Sequence, residues 1–257
     1  MPASRTPTTA SRASRTAAAR GGATGRRQAA PAASARRPAT AARAGRRRSA
    51  PPTVVLLVRH GRTATTGRVL PGRAPGLHLS EEGRAQAEAL AHRMAALTRP
   101  PSAVYASPLE RTRETAAPTA RALGLRVRVE RGLLECDVGR WTGERLARVS
   151  RDPRWSTVQR WPTGFRFPGG ESFADLSTRA TAAVLRLAAA HPGETVVAFS
   201  HADPIKAALA ASAGVPLDLF QRLVVSPCSV SAVAFTADGP HVLCVNATAS
   251  LDELVLS

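Results

Sequence analysis

Two histidines and two arginines follow short apolar segments at three places in the sequence. Arg59 and His60 stand directly after the first segment, Arg111 stands a few residues after the second, and His201 follows the third. A single Arg-His pair is more often a surface histidine beside a solvated arginine, and it is the threefold recurrence that favours a site. A neutral imidazole is a competent nucleophile toward phosphorus, and arginines bind phosphate oxygens through paired N–H donors. The residue types therefore predict phosphoryl transfer through a phosphohistidine, which water or an acceptor hydroxyl then clears.

The segments that precede these residues are predicted to be strands of an α/β domain. From Thr53 onward, short β-branched apolar runs alternate with helix-length amphipathic segments, which is typical of a mostly parallel sheet. Because ligands bind outside the carboxyl ends of the strands in such sheets, the four side chains are expected at one edge. The predicted strands cover residues 54–58, 103–106, 127–129, 195–199, 230–235 and 242–245, the first and fourth being central.

The helix starts carry capping signals. Ser80 precedes two acidic residues, and residues 107–110 read Ser-Pro-Leu-Glu, which predicts a capping box with proline at the first helical position. A third helix is predicted over 172–191, and Asp203 is expected to be the N-cap of a fourth. Residues 139–170 hold all three tryptophans and two phenylalanines, a pattern that fits either a satellite core or a lid over a site.

Composition separates an N-terminal tail from the domain. The chain of 257 residues is 44% hydrophobic, which suffices for a packed core, and its net charge is +18. Residues 1–52 hold twelve arginines and no acidic residue, so residues 53–257 carry a net charge of only +6. The overall charge therefore does not assign the domain a polyanionic partner. The tail consists almost wholly of Ala, Arg, Pro, Ser, Thr and Gly and is predicted to be disordered.

Four interpretations of residues 1–52 stay open. They are a functionless extension, a tail that binds nucleic acid or an anionic surface, an organellar transit peptide, and translated sequence upstream of the true start. Arginine outnumbers lysine 35 to 1 in the chain, which indicates a coding bias more than selection for a binding surface. Nucleic acid is therefore expected as a partner only through this tail.

The sequence argues against a membrane span, a disulfide framework and a metal site. No run of 18 apolar residues occurs, so no membrane span is predicted. The three cysteines form no C-x-x-C pair, which favours a cytoplasmic location, or an organelle if the tail is a transit peptide. No cluster has metal-ligand spacing, and neither a metal nor a cofactor is expected. A monomer and a homodimer both fit these observations.

The candidate residues lie in five motifs: Arg59-His60-Gly61; Ser107-Pro108 with Arg111-Thr112 and Thr115-Ala116; Leu134 to Gly139 with Trp141 and Gly143; Pro168 to Ser172; and Ser200-His201. In this order they resemble the motifs of the histidine phosphatase superfamily, in its phosphoglycerate-mutase-like branch. The resemblance spans residues 54–246, and five ordered motifs are a specific signal. Residues 62–73 and the Glu-Cys-Asp motif also resemble an actinobacterial subgroup named as phosphomutases.

The resemblance implies a three-layer α/β/α sandwich with a mostly parallel central sheet, and it implies a role for each motif residue. His60 is implied as the nucleophile, and Arg59, Arg111 and His201 as the groups that bind the transferred phosphoryl group. Glu135 matches the proton donor of the family. An alkoxide leaving group needs such a donor, and a carboxyl beside a Trp-rich segment can stay protonated. A salt-bridged loop acid is the alternative interpretation of Glu135.

Other positions are compared with the family pattern in the same way. Asp203 is a rival proton donor, because the acid-phosphatase branch places an aspartate directly after its second histidine, but here Ala202 intervenes. Arg62, Thr66 and Arg73 are further candidate substrate contacts. The branch often has Glu or Gln at the first of these positions and Asn at the second, while Arg73 is as well explained by plain surface charge.

These observations predict a metal-independent phosphatase that acts on a small phosphorylated metabolite, a phosphomonoester, through His60. The enzymatic alternative is a phosphomutase of the phosphoglycerate mutase type. The two differ in whether the phosphohistidine is discharged to water or returned to the substrate. The alternative of another class is a non-enzymatic protein that associates with nucleic acid through its basic tail.

Overall fold

The structure is a computed structural model that describes residues 51–250. The predicted tail, residues 1–52, lies outside the described residues except for its last two positions. Within the described range, no helix is both long and apolar enough to cross a lipid bilayer. The strands are β1 (Thr53–Arg59), β2 (Val69–Leu70), β3 (Ala103–Ala106), β4 (Val127–Val129), β5 (Glu144–Arg145), β6 (Thr195–Ser200), β7 (Val230–Thr236) and β8 (Gly239–Ala247), and the α-helices are α1 (Glu81–Ala95), α2 (Glu110–Ala122), α3 (Leu146–Val149), α4 (Trp155–Arg160), α5 (Phe173–Ala190) and α6 (Ala202–Ala213).

The central sheet has six strands in the order β4-β3-β6-β1-β7-β8. The first four strands in that order run parallel, whereas β7 pairs with β1 and β8 pairs with β7 in antiparallel orientation. Antiparallel neighbours can be joined by a tight turn, which is how β7 continues into β8, while parallel neighbours need long crossovers, here helical. The six predicted strands are confirmed, with small differences at their ends, and so is the mostly parallel sheet.

Helices cover both faces of this sheet. Successive side chains of a strand point to opposite faces, so Leu57 and Leu56 of β1 enter different cores. Leu57 packs in the core that includes Val184 and Leu209 of α5 and α6. Leu56 packs in the core that includes Leu90 of α1 and buried residues of α2. This is the predicted three-layer α/β/α sandwich.

The strand order brings the candidate residues to one edge. β1, β6 and β3 are adjacent and parallel, so their carboxyl ends lie side by side. The His60 N–H donates to the Ser200 carbonyl at 3.0 Å, and the Ser107 N–H donates to the Phe199 carbonyl at 2.9 Å. The segments that follow the three strands therefore leave the sheet together, as the sequence predicts.

The predicted capping box at residues 107–110 is wrong. Helix α2 begins at Glu110, with Leu109 as its N-cap and no side-chain capping bond. Ser107 is too early to cap the helix, because its backbone is still bonded to β6 and its hydroxyl bonds to the His201 ring. The Ser107 hydroxyl therefore bonds to His201 and does not cap the helix.

The predicted N-cap at Asp203 is also wrong. Helix α6 begins at Ala202 with His201 as its N-cap, which places Asp203 inside the first turn. The other starts are confirmed: Ser80 caps α1 by accepting from the Gly83 N–H at 3.1 Å, and Ser172 begins α5. Capping signals thus located the helices correctly in the sequence and missed two of the N-caps by two residues each.

Residues 139–170 build a satellite core beside the sandwich. The Trp141 ring lies 5.7 Å from the Phe165 ring and 5.6 Å from the Phe167 ring, measured between centroids. Phe167 in turn packs on Phe173 at the start of α5, with centroids 5.3 Å apart. The satellite-core interpretation fits this packing. The same segment lines the cavity described below through Trp155, which gives it one face toward the site.

Candidate active site

His60 has one ring nitrogen engaged and the other available. Its Nδ1 lies 2.8 Å from the Gly61 carbonyl oxygen, and a carbonyl only accepts, so Nδ1 carries the proton and donates it there. The lone pair is therefore on Nε2. Burial lowers the pKa of His60 well below its usual value, and the charges of Arg59 and Arg111 lower it further. The ring is neutral at physiological pH, which is the form that a nucleophile requires.

Glycine is required beside this histidine by a close approach of two backbones. A Cβ at Gly61 would lie 2.6 Å from the Gly83 carbonyl oxygen at the start of α1. The Gly61 N–H donates to the Thr115 hydroxyl at 3.0 Å, and that hydroxyl donates to the Arg111 carbonyl. Helices α1 and α2 thereby hold the loop that carries His60.

His201 lies against His60 and has one ring nitrogen without a hydrogen-bond partner. The two ring centroids are 5.3 Å apart, and His201 is fully buried. Its Nε2 lies 2.9 Å from the Ser107 hydroxyl oxygen, and its Nδ1 has no hydrogen-bond partner. When the serine donates to Nε2, the proton of the neutral ring is on Nδ1. Burial and the charge of Arg111 lower the pKa of His201 well below its usual value, which keeps the ring neutral.

The two arginines bring further donors that lack acceptors. Arg111 is fully buried and donates from Nη2 to the Gly72 carbonyl at 2.9 Å, while its Nε and Nη1 have no acceptor. Arg59 donates from Nη1 to the Val225 carbonyl at 2.7 Å, and its buried Nε has none. Buried donors without partners cost free energy, and an anion with several oxygens would satisfy them together. With His201 Nδ1, the set fits a phosphoryl group.

Glu135 brings a carboxyl group to this site. Its Oε1 accepts from the Cys136 N–H at 2.9 Å, and its Oε2 lies 3.9 Å from His201 Nδ1. Burial, followed by the charge of Asp203, raises the pKa of Glu135 to about 7, although Arg111 acts in the opposite direction. The carboxyl is therefore half protonated near neutral pH and able to donate a proton.

A cavity of about 400 Å³ opens onto some of these groups, whereas Arg111 and His201 are fully buried and do not line it. Arg59, His60 and Glu135 line it together with residues of the satellite core, of α6 and of the loop after β1. The polar members beyond the first three are Thr63, Thr65, Thr66, Gln159, Asp203, Lys206 and Gln221.

The structure brings some of the predicted substrate contacts to this cavity and not others. Thr66 lines it, and its hydroxyl accepts from the Thr63 N–H at 2.9 Å. Arg62 lies at the surface, where its Nε is 3.0 Å from Glu82 Oε1. Arg73 lies behind the acid, because its Nε donates to the Glu135 carbonyl at 2.8 Å. Arg73 thus contacts the backbone of Glu135 and does not line the cavity.

Arg179 is a positioning residue that the sequence did not indicate. From the middle of α5 it donates to the backbone carbonyls of Gly132, Leu134 and Glu135, and it pairs with the Glu171 carboxylate. Arg179 and Arg73 both donate to the Glu135 carbonyl, and neither lines the cavity. In the sequence it is one of two arginines on an amphipathic helix, in a chain with 35 arginines, so no local signal marks it.

Replacing Arg179 by methionine is expected to lower the free energy of unfolding by about 2–4 kcal/mol, because the Gly132 and Leu134 carbonyls lose this donor. The Glu135 carbonyl and the Glu171 carboxylate each lose one donor and keep Arg73. Chemical denaturation monitored by circular dichroism measures the change. Arg186→Met is the matched control, since Arg186 lies on the same helix and forms an exposed pair with Glu130. Equal denaturation midpoints for the two variants would contradict the role of Arg179.

Metal ligands are not gathered anywhere in the described part of the chain. Among residues 51–250, no group of three or more His, Cys, Asp or Glu side chains is placed to hold a metal ion. The donor set at the site, two guanidinium groups and an imidazole, is suited to an anion and not to a cation.

Comparison with known proteins identifies the family. The family model "Histidine phosphatase superfamily (branch 1)" matches residues 55–248. The chain is 32% identical over 207 residues to phosphoserine phosphatase 1 of Hydrogenobacter thermophilus. The aligned region covers 77% of this chain and 94% of the relative. It is 37% identical over 191 residues to a bifunctional protein of Mycobacterium tuberculosis, covering 73% of this chain but only 52% of the relative. The chain thus spans about half the length of that relative.

A solved structure agrees with this assignment. A mycobacterial glucosyl-3-phosphoglycerate phosphatase in complex with VO3 superposes with a TM-score of 0.69 at 28% sequence identity, covering 76% of this chain and 99% of that one. The five sequence motifs, the sheet with its carboxyl-edge site and these matches lead to the same conclusion. The chain belongs to branch 1 of the histidine phosphatase superfamily.

Proposed function

We propose that this chain hydrolyses phosphomonoesters of small molecules through a phosphohistidine formed on Nε2 of His60. The observation that carries the proposal is the unprotonated Nε2 of a neutral, buried ring beside buried donors that have no acceptor. Phosphatases among the relatives, one named for phosphoserine and one for glucosyl-3-phosphoglycerate, support the same reaction class. A small phosphorylated metabolite is accordingly the substrate.

In the first step, the nonbridging oxygens of the ester accept from Arg59, Arg111 and His201. His60 Nε2 attacks phosphorus, the P–N bond forms, and the P–O bond to the leaving group breaks. The electron pair goes to the leaving oxygen, which takes the proton of Glu135 and departs as an alcohol. The Gly61 carbonyl, which accepts from Nδ1, stabilises the positive charge that the phosphorylated ring acquires.

In the second step, the Glu135 carboxylate takes a proton from water while the water oxygen attacks phosphorus. The P–N bond breaks, its electron pair returns to Nε2, and inorganic phosphate is released. His60 is then again a neutral imidazole, and Glu135 again carries its proton. A mutase would differ only here, since a substrate hydroxyl would take the place of water.

The test uses the full chain with p-nitrophenyl phosphate in the presence of EDTA, followed by acid and base quenching of a reaction with 32P-labelled substrate. We expect release of phosphate that EDTA does not suppress, and a protein-bound label that is lost in acid and stable in base. Incubation with 3-phosphoglycerate, with and without 2,3-bisphosphoglycerate, separates the alternatives: isomerisation without net release would establish a mutase. Absence of both turnover and bound label would overturn the proposal.

The cytoplasmic location, the monomeric or dimeric state and any binding of nucleic acid by residues 1–52 stay predictions from the sequence.

A further inference from the structure

One wall of the cavity carries charged and polar groups that the proposed reaction does not use. Asp203 and Lys206 lie three residues apart on α6, which places them on the same side of the helix. Gln221 reaches the same wall from the short helical segment Leu217–Arg222. All three side chains line the cavity that contains His60 and are half-buried.

Gln221 connects the two charges and fixes their arrangement. The Lys206 ammonium donates to Gln221 Oε1 at 3.0 Å, and Gln221 Nε2 donates to Asp203 Oδ1 at 3.4 Å. The amide therefore presents its oxygen to the cation and its nitrogen to the carboxylate. An amide inserted in this way separates the two charges, since within residues 51–250 no carboxylate lies in ion-pair distance of Lys206.

Lys206 consequently keeps most of its binding capacity. An ammonium group has three N–H donors, and the structure gives one acceptor, a neutral amide oxygen, to that of Lys206. A half-buried cation that faces a cavity with spare donors is suited to an anionic ligand group. Lys206 is also the single lysine of a chain with 35 arginines. A lysine presents a compact charge on a flexible stem, whereas an arginine would present a planar fork.

The cation is separate from the donors of the reacting centre. The charges that lower the pKa of His60 are those of Arg59 and Arg111. Those two arginines and His201 supply the buried donors without acceptors, and a transferred phosphoryl group would occupy them. An anion bound by Lys206 would therefore belong to another part of the substrate.

We propose that Lys206, oriented by Gln221, binds a second anionic group of the substrate, so that the enzyme prefers small phosphomonoesters that also carry a carboxylate or a second phosphate. This inference rests on the proposed phosphatase function and deepens it. Asp203 lines the same cavity and its charge acts against a bound anion, so the Lys206 ammonium has to outweigh it. Lys206 is in this respect a specificity-determining residue of the cavity.

The experiment compares matched substrates with the full chain and its Lys206→Gln variant. 3-Phosphoglycerate and glycerol 3-phosphate differ in one carboxylate, and fructose 1,6-bisphosphate and fructose 6-phosphate differ in one phosphate. The measured quantity is the ratio of kcat/KM within each pair. We expect the variant to lower at least one ratio by about tenfold or more, mainly through KM, because a charge-assisted hydrogen bond is lost. The pair that responds identifies the anionic group.

Two further variants control the result. Lys206→Arg keeps the charge and is expected to retain most of the preference. Arg113→Gln removes an exposed cation of α2 that does not line the cavity, and it is expected to leave both ratios within about twofold of their original values. An unchanged far-ultraviolet circular dichroism spectrum shows that each variant is folded.

The outcomes separate the two proposals. Ratios that stay unchanged in Lys206→Gln, or an equal loss for every substrate, would overturn the role of Lys206 while phosphatase activity stands. A wild-type protein that prefers, in both pairs, the member with a single anionic group would also overturn it. Hydrolysis of p-nitrophenyl phosphate but of none of the four esters would overturn this inference alone, whereas failure to hydrolyse p-nitrophenyl phosphate as well, with no bound label, would overturn the proposed function and this inference with it.

Discussion

Replacing His60 by alanine is expected to lower kcat by at least about 10⁴-fold, because the variant has no atom to which the phosphoryl group can be transferred. The acid-labile protein-bound phosphate should disappear completely. Steady-state turnover of p-nitrophenyl phosphate and quenching of a 32P-labelled reaction measure the two effects.

Loss of the His60 ring also removes its contact with His201, so stability has to be measured beside activity. His60→Gln fills more of the space and should be as inactive as the alanine variant. His92→Ala is the matched control, since His92 lies exposed on α1 and should keep full activity. Folded His60 variants that keep more than about 1% of the activity would falsify the assignment of His60 as the nucleophile.

Replacing Glu135 by glutamine is expected to lower kcat/KM for alkyl phosphates by about 10²–10⁴-fold, the usual contribution of a general acid. An alkoxide is a poor leaving group and needs the proton, whereas p-nitrophenolate departs without one. The loss for p-nitrophenyl phosphate should therefore be much smaller. Glutamine keeps the shape of the side chain and an oxygen that can accept from the Cys136 N–H, so the comparison isolates the proton.

The same residue sets the expected pH dependence. The pKa of Glu135 is raised to about 7, so the carboxyl keeps its proton below that pH and loses it above. For an alkyl phosphate, kcat/KM should fall as the pH rises through about 7, and Glu135→Gln should lack this decline. Ionisation of the substrate affects both proteins equally and cancels in their ratio. A decline of the same size in the variant would contradict the role of Glu135.

Asp203 is tested by the same measurements. If Asp203 were the proton donor, Asp203→Asn would show the dependence on the leaving group that is expected of Glu135→Gln. The structure gives Asp203 a different effect, because its charge raises the pKa of Glu135. Asp203→Asn should therefore move the decline of kcat/KM to lower pH and leave the preference among leaving groups as it is.

Much of the fold could be predicted from the sequence because its signals are local. Apolar β-branched runs and the helix-length segments between them are read from neighbouring residues, and all six strands of the central sheet were predicted. The placement of Arg59 and His60 after a central strand follows from the same pattern. Parallel strands direct their carboxyl ends to one edge, so the convergence of His60, Arg111 and His201 could also be expected from the sequence alone.

The roles of other residues depend on which distant segments meet. Ser107 has the sequence of a helix cap but bonds to His201, a residue 94 positions away. Arg62 and Arg73 both follow His60 in sequence, yet one pairs with Glu82 at the surface and the other donates to the Glu135 carbonyl. Local propensity does not encode such choices, because the partner's position is decided by the packing of the whole chain.

The sequence by itself determined the fold class, the position of His60 at the end of a central strand and the ordered motifs that mark the family. Only the tertiary structure decided which ring nitrogen of His60 carries the proton, that Arg179 donates to the Glu135 carbonyl, and that Lys206 lines the cavity. The physical reason is the separation along the chain of the residues that interact. Secondary structure follows from contacts between residues only a few positions apart. A tautomer, a buried charge and a binding wall arise from hydrogen bonds and burial between segments far apart in the chain.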